Sequence, residues 1–508
     1  MGAVHGLALN LDWLPLMNAP SPVTPLNFLV RATADHGSAL ALHGGRQSFT
    51  FLELLRQSQA MATHLGDMGV GPGIRVALYL EDHVQFFSAM FAVWIAGGVV
   101  VPMNMSLPRK LRRQIESLAH MRLGIHAGPW QGGEVGFPLT PIENLGAGPR
   151  PGDGLPLPAG KSATDLAMIM FTSGTTGIPK GVPCTNAMLG GNARLMSQVL
   201  GLTQEDRLFI NTPPYYTSAI CHLLTCFSQG AGIVAQSGFL FGSAILAEMA
   251  ALRCTGMGGA PAHLVKIVET ASADQRPSRL RFFMSSGDHL PPALIEKAQR
   301  MFPGVEVYTV YGLSEVAGRL CVLEPGFLPS KIGSVGKPLP GMNVTVRRED
   351  LDEAGPGESG QIYVQGPLLM AGYLGRGNGA EGGVGPLGFA TGDFGYKDQD
   401  GFLYLLGRED DIFKCGGEKV STLLIQQVLV QWGGLEDLAV MAVQDELLGK
   451  VPVVYYVPRS GQHLDQRELL DYLRRRLPST HIPKRYTAVS KIPRTGSGKV
   501  SRRELISG

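Results

Sequence analysis

Residues 166–181 read LAMIMFTSGTTGIPKG, an apolar run that passes directly into a loop of glycines, hydroxyl side chains and one lysine. The apolar run predicts a buried strand. The glycines let the backbone fold back and turn its N–H groups toward one point. Further donors and a positive charge come from Thr172, Ser173, Thr175, Thr176 and Lys180. This composition predicts a phosphate-binding loop, with an ordinary turn as the alternative.

Strand-like runs and helical patterns alternate on both sides of this loop, which is typical of an α/β fold with mostly parallel sheets. The predicted strands cover 75–80, 98–102, 166–171, 208–211, 232–236 and 305–310, and helices cover 51–69 and 293–302. After about residue 325 the pieces become shorter and richer in β-strand. From about residue 411 the chain reads as a small α/β unit. We therefore predict two domains, residues 1–409 and 410–508.

The composition excludes several classes of protein. Lys and Arg number 44 and Asp and Glu 42, and the net charge of +2 argues against a global nucleic-acid or membrane role. The six cysteines form no C-x-x-C pair, so we expect reduced thiols in a cytoplasmic protein rather than zinc or disulfide chemistry. The longest apolar run, 86–101, is too short to span a membrane. The first residues lack the basic region of a signal peptide.

Three further motifs follow the loop in the chain. Tyr311-Gly-Leu-Ser-Glu315 comes after a predicted strand. An aromatic ring beside glycine can stack on a flat base, and a hydroxyl and a carboxylate suit a hydrated Mg²⁺. Read alone, this motif is also compatible with an ordinary strand and turn.

The second motif is Thr391-Gly-Asp393, followed by Gly407-Arg408. A fixed carboxylate can accept both hydroxyls of a ribose, and an arginine can bind a phosphate or ribose oxygen. The third is PRTGSGK at 493–499, where two glycines let Lys499 project. The alternative for this last motif is a solvated basic tail.

In their sequence and order, these motifs resemble those of the adenylate-forming superfamily, which includes acyl- and aryl-CoA ligases, peptide-synthetase adenylation domains and firefly-type luciferases. The resemblance runs from residue 172 to 499 and extends upstream to AGGVVVPMN at 96–104. It implies a large N-terminal domain of two doubly wound mixed sheets plus a small β-barrel, and a small mobile α/β C-terminal domain.

The resemblance also implies roles for individual residues. Lys499, Glu315 and Thr175 are the expected catalytic residues, with Glu315 and Thr175 at the metal and Asp410 at the interdomain hinge. The expected ATP- or AMP-binding residues are Thr172, Ser173, Gly174, Thr175, Thr176, Gly177, Lys180, Gly287, Asp288, Tyr311, Gly312, Ser314, Asp393 and Arg408. The expected acyl pocket contains Tyr216, Gly259, His289, Gly312 and Val316, and the expected pantetheine tunnel contains Gly416 and Gly417.

The implied reaction activates a carboxylic acid with MgATP to an acyl-adenylate and then transfers the acyl group to the thiol of CoA. Two alternatives are transfer to a free-standing carrier protein and a nucleotide-binding pseudoenzyme. A P-loop NTPase is not expected because Lys180 precedes glycine rather than Ser or Thr. Residues 473–504 hold ten basic residues and one acid, which would favour the phosphates of CoA or an acidic carrier, or form a solvated surface.

Several positions depart from the family pattern. Asn186 stands where many members have histidine, Tyr216 replaces a residue that gates the acyl pocket, and Thr309 replaces a frequent asparagine. The loop at 286–289 reads Ser-Gly-Asp-His instead of the commoner SGGAP. None of these changes removes a reacting group, but they leave the acid unidentified. Tyr216 could bond a polar or aromatic acid.

Overall fold

The computed structural model of the protein describes most of the chain. The described residues are 24–45, 47–145, 162–173, 179–236, 241–288, 290–376, 382–408, 412–415, 418–432, 434–459, 464–493, 500 and 505. Within them, no helix combines the length and the apolar character needed to cross a membrane.

The strands are β1 (Leu40–Gly44), β2 (Gln47–Thr50), β3 (Arg75–Tyr79), β4 (Val99–Pro102), β5 (Leu123–His126), β6 (Leu139–Pro141), β7 (Leu166–Ser173), β8 (Pro179–Thr185), β9 (Arg207–Ile210), β10 (Gly232–Ala235), β11 (Gly256–Gly259), β12 (Phe282–Ser286), β13 (Glu306–Tyr311), β14 (Cys321–Leu323), β15 (Lys337–Pro338), β16 (Asn343–Arg347), β17 (Gly360–Gln365), β18 (Val384–Gly385), β19 (Gly388–Lys397), β20 (Leu403–Arg408), β21 (Ile412–Cys415), β22 (Glu418–Ser421), β23 (Leu435–Asp445), β24 (Gly449–Pro458) and β25 (Arg485–Ala488).

The α-helices are α1 (Pro25–His36), α2 (Phe51–Asp67), α3 (His83–Ile95), α4 (Arg109–Ala119), α5 (Asn186–Val199), α6 (Thr217–Phe227), α7 (Gly242–Ala251), α8 (Pro261–Thr270), α9 (Pro292–Met301), α10 (Leu328–Lys331), α11 (Thr422–Trp432) and α12 (Gln466–Arg474). Their ends follow from local chemistry. For example, α2 begins at a capping box in which Thr50 and Glu53 each bond the other's backbone N–H.

Two large mixed sheets dominate the N-terminal part of the described chain. One has the order β15-β14-β13-β12-β11-β9-β10-β1-β2, and the other β6-β5-β3-β4-β7-β8. Helices α1, α2, α3, α5 and α6 contribute to the core shared by the two sheets. Helices α7, α8 and α9 cover the outer face of the first sheet, and α4 covers the outer face of the second. This layering confirms the doubly wound α/β fold expected from the sequence.

Strand β3 shows why the sequence folds in this way. Its side chains alternate between two cores, with Val76 and Leu78 in the central one and Ala77 and Tyr79 against α4. A strand covered on both faces reads as a continuous apolar run. All six strands and both helices predicted from the pattern are present, with ends that shift by at most two residues.

Beyond residue 340 the chain forms two smaller sheets. Strands β16, β17, β19 and β18 form an antiparallel sheet in which β20 also pairs with β19. Among the described residues this sheet is open, because no hydrogen-bonded ladder joins β16 to β18 or β20. The resemblance implied a small barrel in this part of the chain. Strands β22, β21, β24 and β23, with β25 beside β24, form the last sheet, and α11 and α12 pack on its core. A domain boundary at 409/410 remains our proposal.

Candidate functional site

Strands β7 and β8, which precede and follow the centre of the predicted phosphate loop, pair in antiparallel fashion. Thr172 is paired with Lys180 across this hairpin, and residues 174–178 between the strands lie outside the described residues. The backbone N–H of Leu374 donates to the carbonyl oxygen of Gly181 at 2.8 Å. This hydrogen bond attaches the hairpin to the segment that follows β17. The same segment also contacts the Tyr311–Glu315 motif.

A buried tyrosine–carboxylate pair occupies the carboxyl end of β13. The Tyr311 hydroxyl donates to Asp393 Oδ2 at 2.5 Å, and the Asp393 backbone N–H donates to Thr391 Oγ1 at 3.0 Å. Burial and the neighbouring Asp393 carboxylate raise the pKa of Tyr311, which keeps its hydroxyl protonated. On the other side, Arg408 Nε lies 3.2 Å from Asp393 Oδ1 in a cross-strand pair. The motifs at 311, 393 and 408 thus meet at one point.

A second buried tyrosine–carboxylate pair involves Glu315, the last residue of the same motif, and Tyr373. The Tyr373 hydroxyl donates to Glu315 Oε1 at 2.7 Å, and no other side chain of the described residues bonds this carboxylate. Burial and Glu315 raise the pKa of Tyr373. Lys180 Nζ lies 5.0 Å from the centre of the Tyr373 ring, in a cation–π contact. Tyr373 therefore links the lysine of the phosphate loop to the predicted metal ligand.

The Glu315 carboxylate fits a magnesium ion bound together with substrate. Magnesium in phosphate-transfer sites is held by one or two carboxylates and by the phosphates themselves. Glu315 is buried, and within the part of the chain that the structure describes no group of three or more metal-ligating side chains forms. The donor set therefore suits an ion shared with a nucleotide rather than one enclosed by protein ligands alone.

The segment after β13 folds tightly on itself. A β-carbon at Gly312 would lie 1.7 Å from the carbonyl oxygen of Gly318, so that only glycine fits there. Asn192 Nδ2 donates to the carbonyl oxygens of Val316 at 3.2 Å and Arg319 at 2.7 Å. The Val316 side chain is fully buried. The segment is thus held rigidly between β13 and α5.

The predicted acyl-pocket residues in the described chain lie around this segment. Tyr216 immediately precedes α6, and the next residue, Thr217, bonds Ser314 with an oxygen–oxygen distance of 3.0 Å. Gly259 ends β11, where a β-carbon would lie 2.6 Å from Nδ1 of His263. The first turn of α6 and the ends of β11 and β13 therefore face the same region.

The loop that follows β12 contains two further predicted nucleotide-binding residues. Gly287 has a φ of +92°, which favours glycine, and both Gly287 and Asp288 are exposed. Because β12 lies between β11 and β13 in parallel pairing, this loop emerges at the same edge of the sheet as Tyr311 and Gly259. Parallel α/β sheets bind ligands at this edge.

Several predicted residues lie outside the described residues. They are Gly174, Thr175, Thr176, Gly177, His289, Asp410, Gly416, Gly417 and Lys499. The backbone of Ser173 lies in β7, but its side chain is also outside this description. Their roles stay predictions.

Sequence reasoning missed three residues that position the site. Tyr373 holds Glu315, Thr391 supports the backbone of Asp393, and Asn192 fixes the segment after β13. Tyr373 and Asn192 lie outside the quoted motifs, so that nothing in the pattern marked them. Thr391 did lie within a quoted motif, next to the carboxylate it supports.

Two family models match the chain. One is described as AMP-binding enzyme and matches residues 29–374, and the other as AMP-binding enzyme C-terminal domain and matches residues 424–499. The chain belongs to the AMP-binding enzyme family. This membership places the chain in the adenylate-forming superfamily, and its named relatives make it a synthetase of the acyl- and aryl-CoA type.

Named relatives cover almost the whole chain. A 2-succinylbenzoate–CoA ligase of Bacillus licheniformis is 30% identical over 483 residues, covering 92% of this chain and 96% of the relative. A feruloyl-CoA synthase of an Amycolatopsis species is 30% identical over 485 residues, covering 94% and 97%. The solved structure of o-succinylbenzoate CoA synthetase from Bacillus subtilis with its acyl-adenylate intermediate is 27% identical, with a TM-score of 0.84 and coverage of 94% and 97%.

Proposed function

We propose that the protein activates a carboxylic acid with ATP and Mg²⁺ and transfers the acyl group to CoA. In the first step, a carboxylate oxygen forms a bond to the α-phosphorus of ATP, and pyrophosphate leaves. In the second, the CoA sulfur bonds to the acyl carbon, the thiol proton is lost to solvent, and AMP leaves. The observation that carries the proposal is the meeting of Tyr311, Asp393 and Arg408 beside Glu315, at the ligand-binding edge of a parallel sheet.

The site residues that the structure describes form two groups, one placed to bind the ribose and base and one placed to bind the phosphates. Asp393 is placed to accept the ribose hydroxyls, and Arg408 beside it to bind a ribose or phosphate oxygen. The Tyr311 ring is placed to contact the adenine. Lys180 and Glu315, joined through Tyr373, face the phosphates.

Charge accumulates on the α-phosphate oxygens as the acid attacks. Preorganised cations and hydrogen-bond donors stabilise such charge more than they stabilise the ground state. Lys180 and, from the C-terminal domain, Lys499 supply this stabilisation in our proposal, and Glu315 would hold the magnesium ion, which neutralises phosphate charge when bound. Rotation of residues 410–508 about Asp410 would then exchange Lys499 for the Gly416–Gly417 tunnel.

CoA is favoured over a carrier protein as the acceptor because the relatives that cover nearly the whole chain are named as CoA ligases. We place the reaction in the cytoplasm. All six cysteines are free and buried, which is typical of proteins from reducing compartments.

The test is acid-dependent exchange of labelled pyrophosphate into ATP, measured without CoA over short, long, aromatic and amino acids. We expect exchange with one class of acid, and Lys499→Ala is expected to lower it by about 100-fold or more. Lys491→Ala, an exposed lysine near the same end of the chain, is the matched control and is expected to leave exchange unchanged.

Adding CoA distinguishes ligase from carrier loading, because the ligase then forms the thioester and AMP. ATP binding without exchange for any acid would overturn the proposal in favour of a nucleotide-binding pseudoenzyme.

A further inference from the structure

One arginine lies in the protein interior without an acidic partner among the residues that the structure describes. Arg319 is 2% exposed, and its Nη2 lies 3.3 Å from the carbonyl oxygen of Ser218 and 3.1 Å from Nδ1 of His222. Its Nε is buried with no hydrogen-bond partner, and no Asp or Glu of the described residues forms an ion pair with it. The guanidinium therefore has unused donors and an uncompensated charge.

The neighbouring side chains do not supply the missing anion. Burial, and then the Arg319 charge, hold the pKa of His222 well below its usual range, so that this imidazole is neutral. Cys221 donates its thiol to the carbonyl oxygen of Ala317 at 3.0 Å, and burial raises its pKa. Hence the neighbours of the guanidinium are neutral groups.

The position of Arg319 coincides with the predicted acyl pocket. It follows Val316 by three residues, and its guanidinium lies against the first two turns of α6, which Tyr216 precedes. His222 in turn lies against β11, where a β-carbon on Gly258 would be 2.6 Å from the imidazole Cε1. The charge thus lies between the end of β11, the start of α6 and the segment after β13.

A purely structural role does not explain a charged residue here. The carbonyl oxygen of Ser218 needs one donor, which a neutral side chain can supply. A buried, unpaired cation is strongly unfavourable compared with an apolar residue of similar size. Residues that oppose stability in this way cluster at functional sites.

We propose that Arg319 pairs with a second acidic group on the carboxylic acid substrate, so that the enzyme prefers diacids. This inference rests on the proposed function and specifies its substrate class. One carboxylate reacts at the α-phosphate, while the other enters the α6–β11 end of the pocket and bonds the unused guanidinium donors. We therefore expect the enzyme to reject acids that lack a second acidic group, because such acids leave the Arg319 cation unpaired.

The experiment compares each diacid with its monoamide, in which the distal carboxylate becomes a neutral group of similar size. The probes are 2-succinylbenzoate, benzene-1,2-dicarboxylate and glutarate, measured by pyrophosphate exchange. We expect kcat/KM for at least one diacid to exceed that for its monoamide by about 100-fold or more. Arg319→Met is expected to abolish this preference mainly by slowing the diacid, and Arg319→Lys to keep part of it.

Two controls separate specificity from folding. The thermal midpoint of Arg319→Met without ligand is expected to equal or exceed that of the parent, because an unpaired buried charge is removed. Arg281→Met removes an arginine that is paired with Asp206 elsewhere on the same sheet, and it is expected to leave the diacid preference unchanged.

Equal use of diacids and monoamides by the parent enzyme would overturn the inference while leaving the proposed function intact. An equal loss of activity on both in Arg319→Met, with a lower thermal midpoint, would also overturn it by showing a structural brace. Absence of exchange with every acid would overturn the proposed function and this inference together.

Discussion

Buried charged side chains have partners at one edge of the nine-stranded mixed sheet and lack acidic partners among the described residues at the other. At the amino end, Asp206 accepts from the backbone N–H of Thr203 at 2.8 Å and from Thr255 Oγ1 at 2.7 Å, and Arg281 Nη2 bonds it at 2.9 Å. At the carboxyl end, Arg319 has no acidic partner among the described residues.

This difference separates residues that stabilise the fold from residues that await a ligand. A satisfied polar network contributes to the unfolding free energy. A carboxylate or guanidinium with unused hydrogen-bonding capacity lowers stability but can recognise a substrate. We therefore expect substitutions at the carboxyl end to change activity and those at the amino end to change stability.

The largest effect is expected for Glu315→Gln at the carboxyl end. Glutamine keeps an acceptor for the Tyr373 hydroxyl but loses the negative charge, so that pyrophosphate exchange should fall by about 100- to 1000-fold. The thermal midpoint should change little. Glu324→Gln, at an exposed glutamate just beyond β14, is the control and should keep normal exchange. Retention of exchange by Glu315→Gln would contradict our assignment.

The next effect is expected for Asp206→Asn at the amino end. Asparagine loses the ion pair with Arg281 and keeps only one of the two acceptor oxygens, which should lower the unfolding free energy by about 1–3 kcal/mol. The kcat/KM should stay unchanged because the site lies at the opposite edge. Urea unfolding at pH 7 measures the unfolding free energy, and pyrophosphate exchange measures kcat/KM.

Comparing the unfolding free energies of the parent and Asp206→Asn at different pH values provides a further test. Burial raises the pKa of Asp206, but the bonds from Thr255, Thr203 and Arg281 outweigh it and lower the pKa below 3.8. The stability that the ionised carboxylate contributes is therefore complete above about pH 4 and is lost as the pH falls through the lower folded-state pKa. The stability gap between parent and Asp206→Asn should narrow on acidification. A gap that widens would refute the interpretation.

The smallest effect is expected for Tyr373→Phe. This change removes one hydrogen bond to Glu315 and keeps the ring under Lys180, so that exchange should fall only about 3- to 10-fold. Tyr396→Phe is the matched control, since Tyr396 stacks on Tyr404 away from the site. Equal rates in the two variants would show that Tyr373 does not position the carboxylate.

Local patterns predicted much of this architecture. Apolar runs located strands such as β3 and β13, because the strands of a sheet covered on both faces contain few polar residues. The motifs also named Tyr311, Asp393 and Arg408, which the fold brings into contact.

Contacts between distant segments could not be predicted in this way. Tyr373 reaches Glu315 across 58 residues, and Asn192 reaches Arg319 across 127. Arg319 itself reads as a surface cation in the sequence, because charged side chains are rarely buried. Its burial became visible only once α6 and β11 were placed around it.

The closed turn between Gly312 and Gly318 has a practical consequence for redesign of this enzyme. A side chain at Gly312 would push the turn open and displace Arg319 together with Val316. A library aimed at new acids should therefore keep both glycines fixed and vary the side chains of Tyr216, Val316 and Arg319. The turn holds the backbone of the predicted pocket in place while side chains that affect substrate preference are varied.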